Sequence, residues 1–221
     1  MLDFAAARRM MVDGQVRTAD VTDRRLLAAM LRLPRERFVP EGKEAVAYLD
    51  RDLAVGSSGG MGRYLLKPMV LAKLIQAAEI VESDSVLDVG CATGYSTALI
   101  AQLAARVIGL EEDETLAQFA AAALSAEAIG NAQVVLGPLI RGWPAQAPYD
   151  AIICEGATDM VPKALLDQLK EGGRLVCLFG RAPGAKAMLY RRIDGECSGR
   201  PLFDAAAPLL PGFVRPPEFV F

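Results

Sequence analysis

An aspartate, two glycines and a pair of acids further on are the residues here whose types and spacing could do chemistry. Asp88 lies in the apolar run Val86-Leu87-Asp88-Val89, and Gly90 and Gly94 bracket Cys91, Ala92 and Thr93. A second apolar run, 106–110, ends in Glu111 and Glu112, about twenty residues beyond Asp88, the spacing at which an acid can grip a ribose diol. A glycine in such a turn adopts angles that a Cβ obstructs and lets a ligand touch the main chain. The pattern points to a nucleotide-type ligand, and two familiar versions fail. Counting G-x-G-x-x-G from Gly90 puts Ala92 and Tyr95 where glycines belong. No Gly-Lys-Ser or Gly-Lys-Thr follows, so the P-loop is excluded too. What remains, D-x-G-x-x-x-G, resembles the turn of class I methyltransferases, and that resemblance implies S-adenosylmethionine as the ligand, with no phosphate to cradle.

Composition narrows the chemistry. The chain has no histidine, which removes a Ser-His-Asp hydrolase, a histidine general base and most zinc chemistry; no metal site is expected. A net charge of −3 offers no field for nucleic acid or an anionic membrane. The four cysteines (Cys91, Cys154, Cys177, Cys197) form no C-x-x-C pair and read as reduced thiols. No apolar run reaches membrane length, and the first residues lack a signal-peptide pattern, so a cytoplasmic location is the expectation.

The elements that must position these residues follow from periodicity. Segment 4–16 predicts a helix with Phe4, Ala7, Met11 and Val12 on one face. Thr22-Asp23 offers an N-cap for a second helix, 24–33, which Pro34 stops. Four glycines within 55–63 predict a flexible or tightly folded loop, read functionally as a lid. Pro68 opens an apolar helix to 80. Strands at 86–89, 106–110, 133–136, 149–154 and 174–179 alternate with helices at 96–103, 113–129 and 161–169. Strand 185–192 and the turn Asp194-Gly195 then begin a hairpin. Such alternation makes a parallel, doubly wound, Rossmann-like α/β sheet, here seven-stranded with a C-terminal antiparallel hairpin. The expectation is one domain over 1–221: a helical cap and lid loop (1–67), a cofactor-binding core (68–180), and antiparallel strands with a tail (181–221). That tail, 208–221, is read as cover for the sheet edge, with docking of a partner as the alternative.

With these residues in view, the chain resembles the protein-L-isoaspartate O-methyltransferases along nearly its whole length. Residues 11–16, 34–40 and 47–50, the cofactor turn 86–95, Gly142-Trp143 with Pro148-Tyr149-Asp150, and Gly172-Gly173-Arg174 carry the likeness. The resemblance implies an S-adenosylmethionine-dependent transferase acting in protein repair, which methylates a carboxylate of isoaspartyl protein or a related acceptor. A further protein partner or homo-oligomer is compatible with it. The cofactor would be held by Asp88, Gly90, Cys91, Ala92, Gly94, Tyr95, Glu111, Glu112, Gly137, Pro138 and Leu139, with Glu111 favoured over Glu112 for the ribose. The departures fall on functional blocks. The family lid G-x-G-Q-T-I-S-x-P is here Gly60 to Pro68, with Arg63, Tyr64 and Leu66 at the lid positions and Leu66 in the serine's place. Leucine neither donates nor accepts a hydrogen bond. Arg63 reads as a solvated lid residue, or else as a bidentate grip on an acid. Glu155 reads as an acceptor-side residue or a surface acid. Pro138 replaces an acid that the family favours. The alternative function is a catalytically impaired relative, serving as a cofactor-binding or protein-interaction module.

Overall fold

The computed structural model describes residues 3–215. Helix α1 (Phe4–Met11) starts at Asp3, whose carboxylate accepts from the Ala6 amide, and its wider-wound continuation runs to Val16. Helix α2 (Arg24–Arg32) starts at Asp23, which accepts from the Arg25 amide at 2.9 Å, and buries Leu26, Leu27 and Met30. The glycine-rich stretch is not a loop. It forms a hairpin, β1 (Leu53–Ser58) and β2 (Met61–Leu65). Gly59 and Gly60 both take positive φ at its tip, the requirement of a two-residue turn that twists with its strands. Glycine content signalled the turn and hid the strands, because glycines interrupt the apolar alternation on which a strand assignment rests.

Helix α3 (Pro68–Ala77) leads to β3 (Ser85–Val89), followed by α4 (Tyr95–Ile100), β4 (Arg106–Glu111), α5 (Glu114–Ala126) and β5 (Ala132–Leu136). Strand β6 (Tyr149–Thr158), the short α6 (Lys163–Leu166), β7 (Leu169–Phe179), β8 (Lys186–Ile193) and β9 (Glu196–Asp204) complete the chain. The helix expected over 161–169 is only four residues long. Strand β7 begins at Leu169, with Gly172-Gly173 inside it where the register with β6 shifts. The seven-stranded sheet has the order β5-β4-β3-β6-β7-β8-β9, parallel through β7 and antiparallel in the last two pairings. The order reverses between β3 and β6, and ligands of open α/β sheets bind at such a reversal, beyond the strands' carboxyl ends.

Both sheet faces are covered. Helices α1 to α5 pack their apolar sides on one face, around Val86, Val107, Ala151 and Val176. The other face buries Leu87, Val89, Ile108, Leu110, Ile152 and Leu175 beneath α6 and the C-terminal tail. The alternation along β3 thus sends its apolar residues to both sides. Burying these near-continuous runs is the main force holding the sheet. The tail does not cover an edge: Leu209 bridges Ala157 beside β6, in the middle of the sheet, and Leu210 and Phe213 are buried. Residues 216–221 of the expected tail lie outside the described residues. No helix among the described residues is long and apolar enough to cross a membrane.

Candidate cofactor site

Strand β3 ends at Val89, and the chain turns back through Gly90, whose φ is +80° and whose amide donates to Leu110 O at the tip of β4. Cys91 N reaches the same carbonyl, and Gly94 N returns to Cys91 O before α4 begins. Gly94, at φ +91°, lies so close to α5 that a Cβ there would sit 3.0 Å from the Ala120 methyl. Ala92 is left-handed too, at φ +50°, although it carries a Cβ, and its amide donates to Glu111 Oε2 at 2.8 Å. One turn therefore brings Asp88 and Glu111 to the same end of the sheet.

Asp88 is fully buried. Its Oδ2 accepts from Ser96 Oγ (2.7 Å) and Thr97 Oγ1 (2.6 Å), while Oδ1 has no partner among the described residues. Loss of hydration pushes its carboxyl up from 3.8 to about 6; the two hydroxyls oppose that rise, and the charge of Glu111 adds to it. Glu111 is equally buried but well supplied with donors. Besides Ala92 N, it accepts from Glu112 N (3.0 Å), Asp113 N (3.3 Å) and a fork of Arg63, Nε–Oε1 3.2 Å and Nη2–Oε2 2.7 Å. Arg63 is only 2 % exposed, so the solvated reading of this residue fails. The bidentate reading describes its geometry, on an acid of its own chain.

The other sequence-predicted residues fall around this centre unevenly. Leu66, Tyr64, Cys91 and Ala92 line a crevice between β2 and the turn. Tyr95 is buried, edge-on to Phe38 and beneath the Arg35 guanidinium, and its hydroxyl is pushed up to about 12 by burial. Glu112 is half-buried beside Glu111 and is not one of the residues that line the crevice. Leu139 is buried and 3.5 Å from the position a Cβ would take on Gly90; Gly137 packs on Trp143 and Pro138 is exposed.

Three residues outside the expected cofactor set also shape the site. Glu155, at the end of β6, is 5 % exposed, with Oε1 unpaired, so the surface-acid reading fails; burial holds its carboxyl well above the usual range, with the Asp88 charge adding to the effect. Arg35 donates to Ala47 O and, through Nη2, to Leu66 O at 2.8 Å, leaving Nη1 unpaired beneath the residue that stands in the serine's place. Leu210 presses into the turn: a Cβ on Gly90 or on Gly156 would lie 2.8 Å from its side chain. A run of polar or glycine residues can flag a site, whereas a leucine some 120 positions further on, in a tail read as edge cover, carries no such flag.

The donor set suits an adenosyl ligand better than the space does. Asp88 Oδ1 and Glu155 Oε1 are buried acceptors without partners among the described residues, and Gly90 has no Cβ in the way, although Arg63 and Leu210 lie against it. Yet the crevice between 64–66 and 90–92 encloses about 10 Å³, room for about one water, against roughly 300–1,000 Å³ for small-molecule sites. Arg63 already holds the acid that a ribose would take. In this conformation S-adenosylmethionine does not fit. No cluster of three or more metal-ligating side chains exists among the described residues.

Comparison with known proteins identifies relatives of this chain. A family model described as protein-L-isoaspartate(D-aspartate) O-methyltransferase matches residues 7–204. The protein-L-isoaspartate O-methyltransferase of Methanoculleus marisnigri is 40 % identical over 173 residues, 78 % of this chain and 77 % of that one. A Rhodopseudomonas palustris relative of the same name is 40 % identical over 186 residues, 84 % of this chain and 74 % of its own. Among solved structures, a protein-L-isoaspartate O-methyltransferase superposes with a TM-score of 0.81 at 24 % identity, covering 93 % of this chain and 66 % of its own. A Plasmodium falciparum protein described as a putative member, in complex with S-adenosyl-L-homocysteine, superposes with a TM-score of 0.75 at 19 % identity, covering 95 % of this chain and 99 % of its own. At these identities the two structures speak for the fold.

Proposed function

We propose that this chain, which belongs to the protein-L-isoaspartate(D-aspartate) O-methyltransferase family, is an S-adenosylmethionine-dependent transferase that methylates a carboxylate of isoaspartyl protein. The observation that carries the reading is the match of one family model to residues 7–204, cofactor turn included. When bound, the cofactor supplies an electrophilic methyl group. The chain's own residues have positioning work to do. Asp88, with one oxygen held by Ser96 and Thr97 and the other unpaired, offers a fixed acceptor at the turn. Gly90 lets a ligand lie against the main chain, and Glu111 is the ribose acid of this reading.

Methyl transfer to a carboxylate needs alignment and exclusion of water more than a tuned acid or base. A chain without histidine meets that requirement. On the acceptor side, Leu66 cannot orient a carboxylate, and Arg35, which donates through Nη2 to the Leu66 carbonyl and leaves Nη1 without a partner among the described residues, is a cationic donor that can take that part. We place the whole reaction in a single domain spanning 1–221. The test is transfer of a radiolabelled methyl group from S-adenosylmethionine to an isoaspartyl peptide, with the aspartyl peptide as control. Base-labile incorporation on the isoaspartyl peptide alone, lost in Asp88→Ala, is the expected outcome. Incorporation no higher than the enzyme-free blank, at cofactor concentrations up to the millimolar range, would refute the reading.

A further inference from the structure

The crevice is closed by residues that imitate what it is meant to hold. We propose that Arg63 and Leu210 are a built-in ligand of the adenosyl crevice, so that S-adenosylmethionine binds only to molecules in which both have withdrawn. The proposal rests on the cofactor reading above and adds a determinant of affinity that the family pattern does not contain.

Three independent features of the structure support it. First, the Arg63 guanidinium presents a planar fork to Glu111, with hydrogen bonds to that residue alone among the described residues. A ribose diol would present two hydroxyl donors to the same two oxygens, so guanidinium and diol exclude each other. Second, Leu210 is seated by main-chain bonds and not by chance side-chain packing. Leu210 N donates to Ala157 O (2.8 Å), Ala157 N to Pro208 O (2.9 Å), and Asp159 N to Phe213 O (2.9 Å), with Phe213 buried as an anchor. The tail is laid along the end of β6, with one leucine directed at Gly90 and Gly156, where its side chain takes the space beside both glycines. Third, Arg63 belongs to a two-stranded hairpin that shares no strand ladder with the main sheet and is held to it by side-chain packing of Leu53, Val55 and Leu65. The part carrying the guanidinium can therefore lift while the seven-stranded sheet stays intact.

The consequence is quantitative. Where only a fraction f of molecules is open, the apparent dissociation constant is the intrinsic one divided by f, so an open fraction of about 1 % weakens binding about a hundredfold. Glu111 keeps its three backbone donors when Arg63 leaves, so the ribose acid stays aimed at the crevice without it.

Two readouts on the full-length chain test this together: calorimetric titration with S-adenosylhomocysteine, and the rate at which a small thiol reagent labels Cys91, resolved by peptide mass. Cys91 lines the crevice and is buried, whereas Cys197 is exposed and serves as the internal reference. Expected for the wild type are fast labelling of Cys197, slow labelling of Cys91, and weak binding. Arg63→Gln and Leu210→Ala should each speed Cys91 labelling and tighten S-adenosylhomocysteine about tenfold or more, with the double variant exceeding either. If Arg63→Gln fails to fold, Leu210→Ala carries the test, since it leaves the ion pair in place. Cys91 labelling in the wild type at the Cys197 rate would overturn the proposal. So would folded variants that bind no more tightly than a wild type that does bind. Variants in which Cys91 opens but no chain binds the nucleoside would uphold the self-ligand and sink the methyltransferase reading.

Discussion

Two buried arginine–carboxylate pairs sit at opposite ends of the same sheet, and they are built for different ends. At the amino end, Arg174 of β7 donates to the carbonyls of Ala78, Asp150 and Glu79 as well as to Asp84 Oδ2 at 2.5 Å. It ties the end of α3, the approach to β3 and β6 into one knot, and its partners come mostly from the backbone. At the carboxyl end, Arg63 donates to Glu111, and Glu111 holds three amides of its own. Remove Arg174 and four acceptors lose a donor. Remove Arg63 and its carboxylate is still hydrogen-bonded. A pair whose loss leaves several buried groups orphaned is a structural clamp; one whose acid is independently satisfied is free to exchange its cation for another donor.

The largest expected effect breaks the clamp. Arg174→Ala should cost about 3–5 kcal/mol, the range for removing one partner of a buried pair, measured by urea unfolding. A loss below about 1 kcal/mol would erase the contrast between the two ends.

Asp88 beside the second pair gives the next effect, and its sign depends on pH. Its folded value, about 6, lies above the ordinary 3.8, so the folded protein holds this proton more tightly than the unfolded chain. The stability it contributes is fully present below about pH 3.8 and is lost as the pH rises through about 6. The difference of about two pH units corresponds to about 3 kcal/mol. Asp88→Asn should therefore be more stable than wild type above pH 7, by up to that amount, and should gain nothing below pH 4. A pH-independent difference would show that Asp88 does not titrate in this window.

Arg63→Ala should cost about 1.5–3 kcal/mol, the value of charged hydrogen bonds without an orphaned acid, and less than Arg174→Ala in the same assay. Equal costs would mean that the backbone amides do not satisfy Glu111. Ala92→Gly should raise stability by about 1 kcal/mol or less, because it relieves a left-handed alanine, offset in part by the extra freedom of the unfolded chain. The smallest effect belongs to the surface: Lys186→Ala, which breaks the exposed pair with Asp204, should change stability by less than about 0.5 kcal/mol.

Much of this architecture can be read from residue order. Alternation and glycine placement locate β3, β4, β6 and the turn from Gly90 to Gly94, because short-range backbone preference and a continuous apolar face are properties of neighbours in sequence. The hairpin at 53–65 is the instructive miss: its turn glycines are visible, but its strands carry too few apolar residues to show their period. The short α6 is another, since the apolar spacing over 161–169 suits a helix while Leu169 pairs with Tyr149 as strand.

By itself the sequence determined the individual strands, the turn from Gly90 to Gly94 and the acids that end two of the strands, since each depends on residues within a few positions of one another. Only the tertiary structure decided that Arg63 would reach Glu111, 48 positions on, and that Leu210 would fill the space at Gly90. Those contacts follow from how the hairpin and the tail dock once the sheet exists. Docking energies depend on shape and desolvation between distant segments, which no local pattern of residues records.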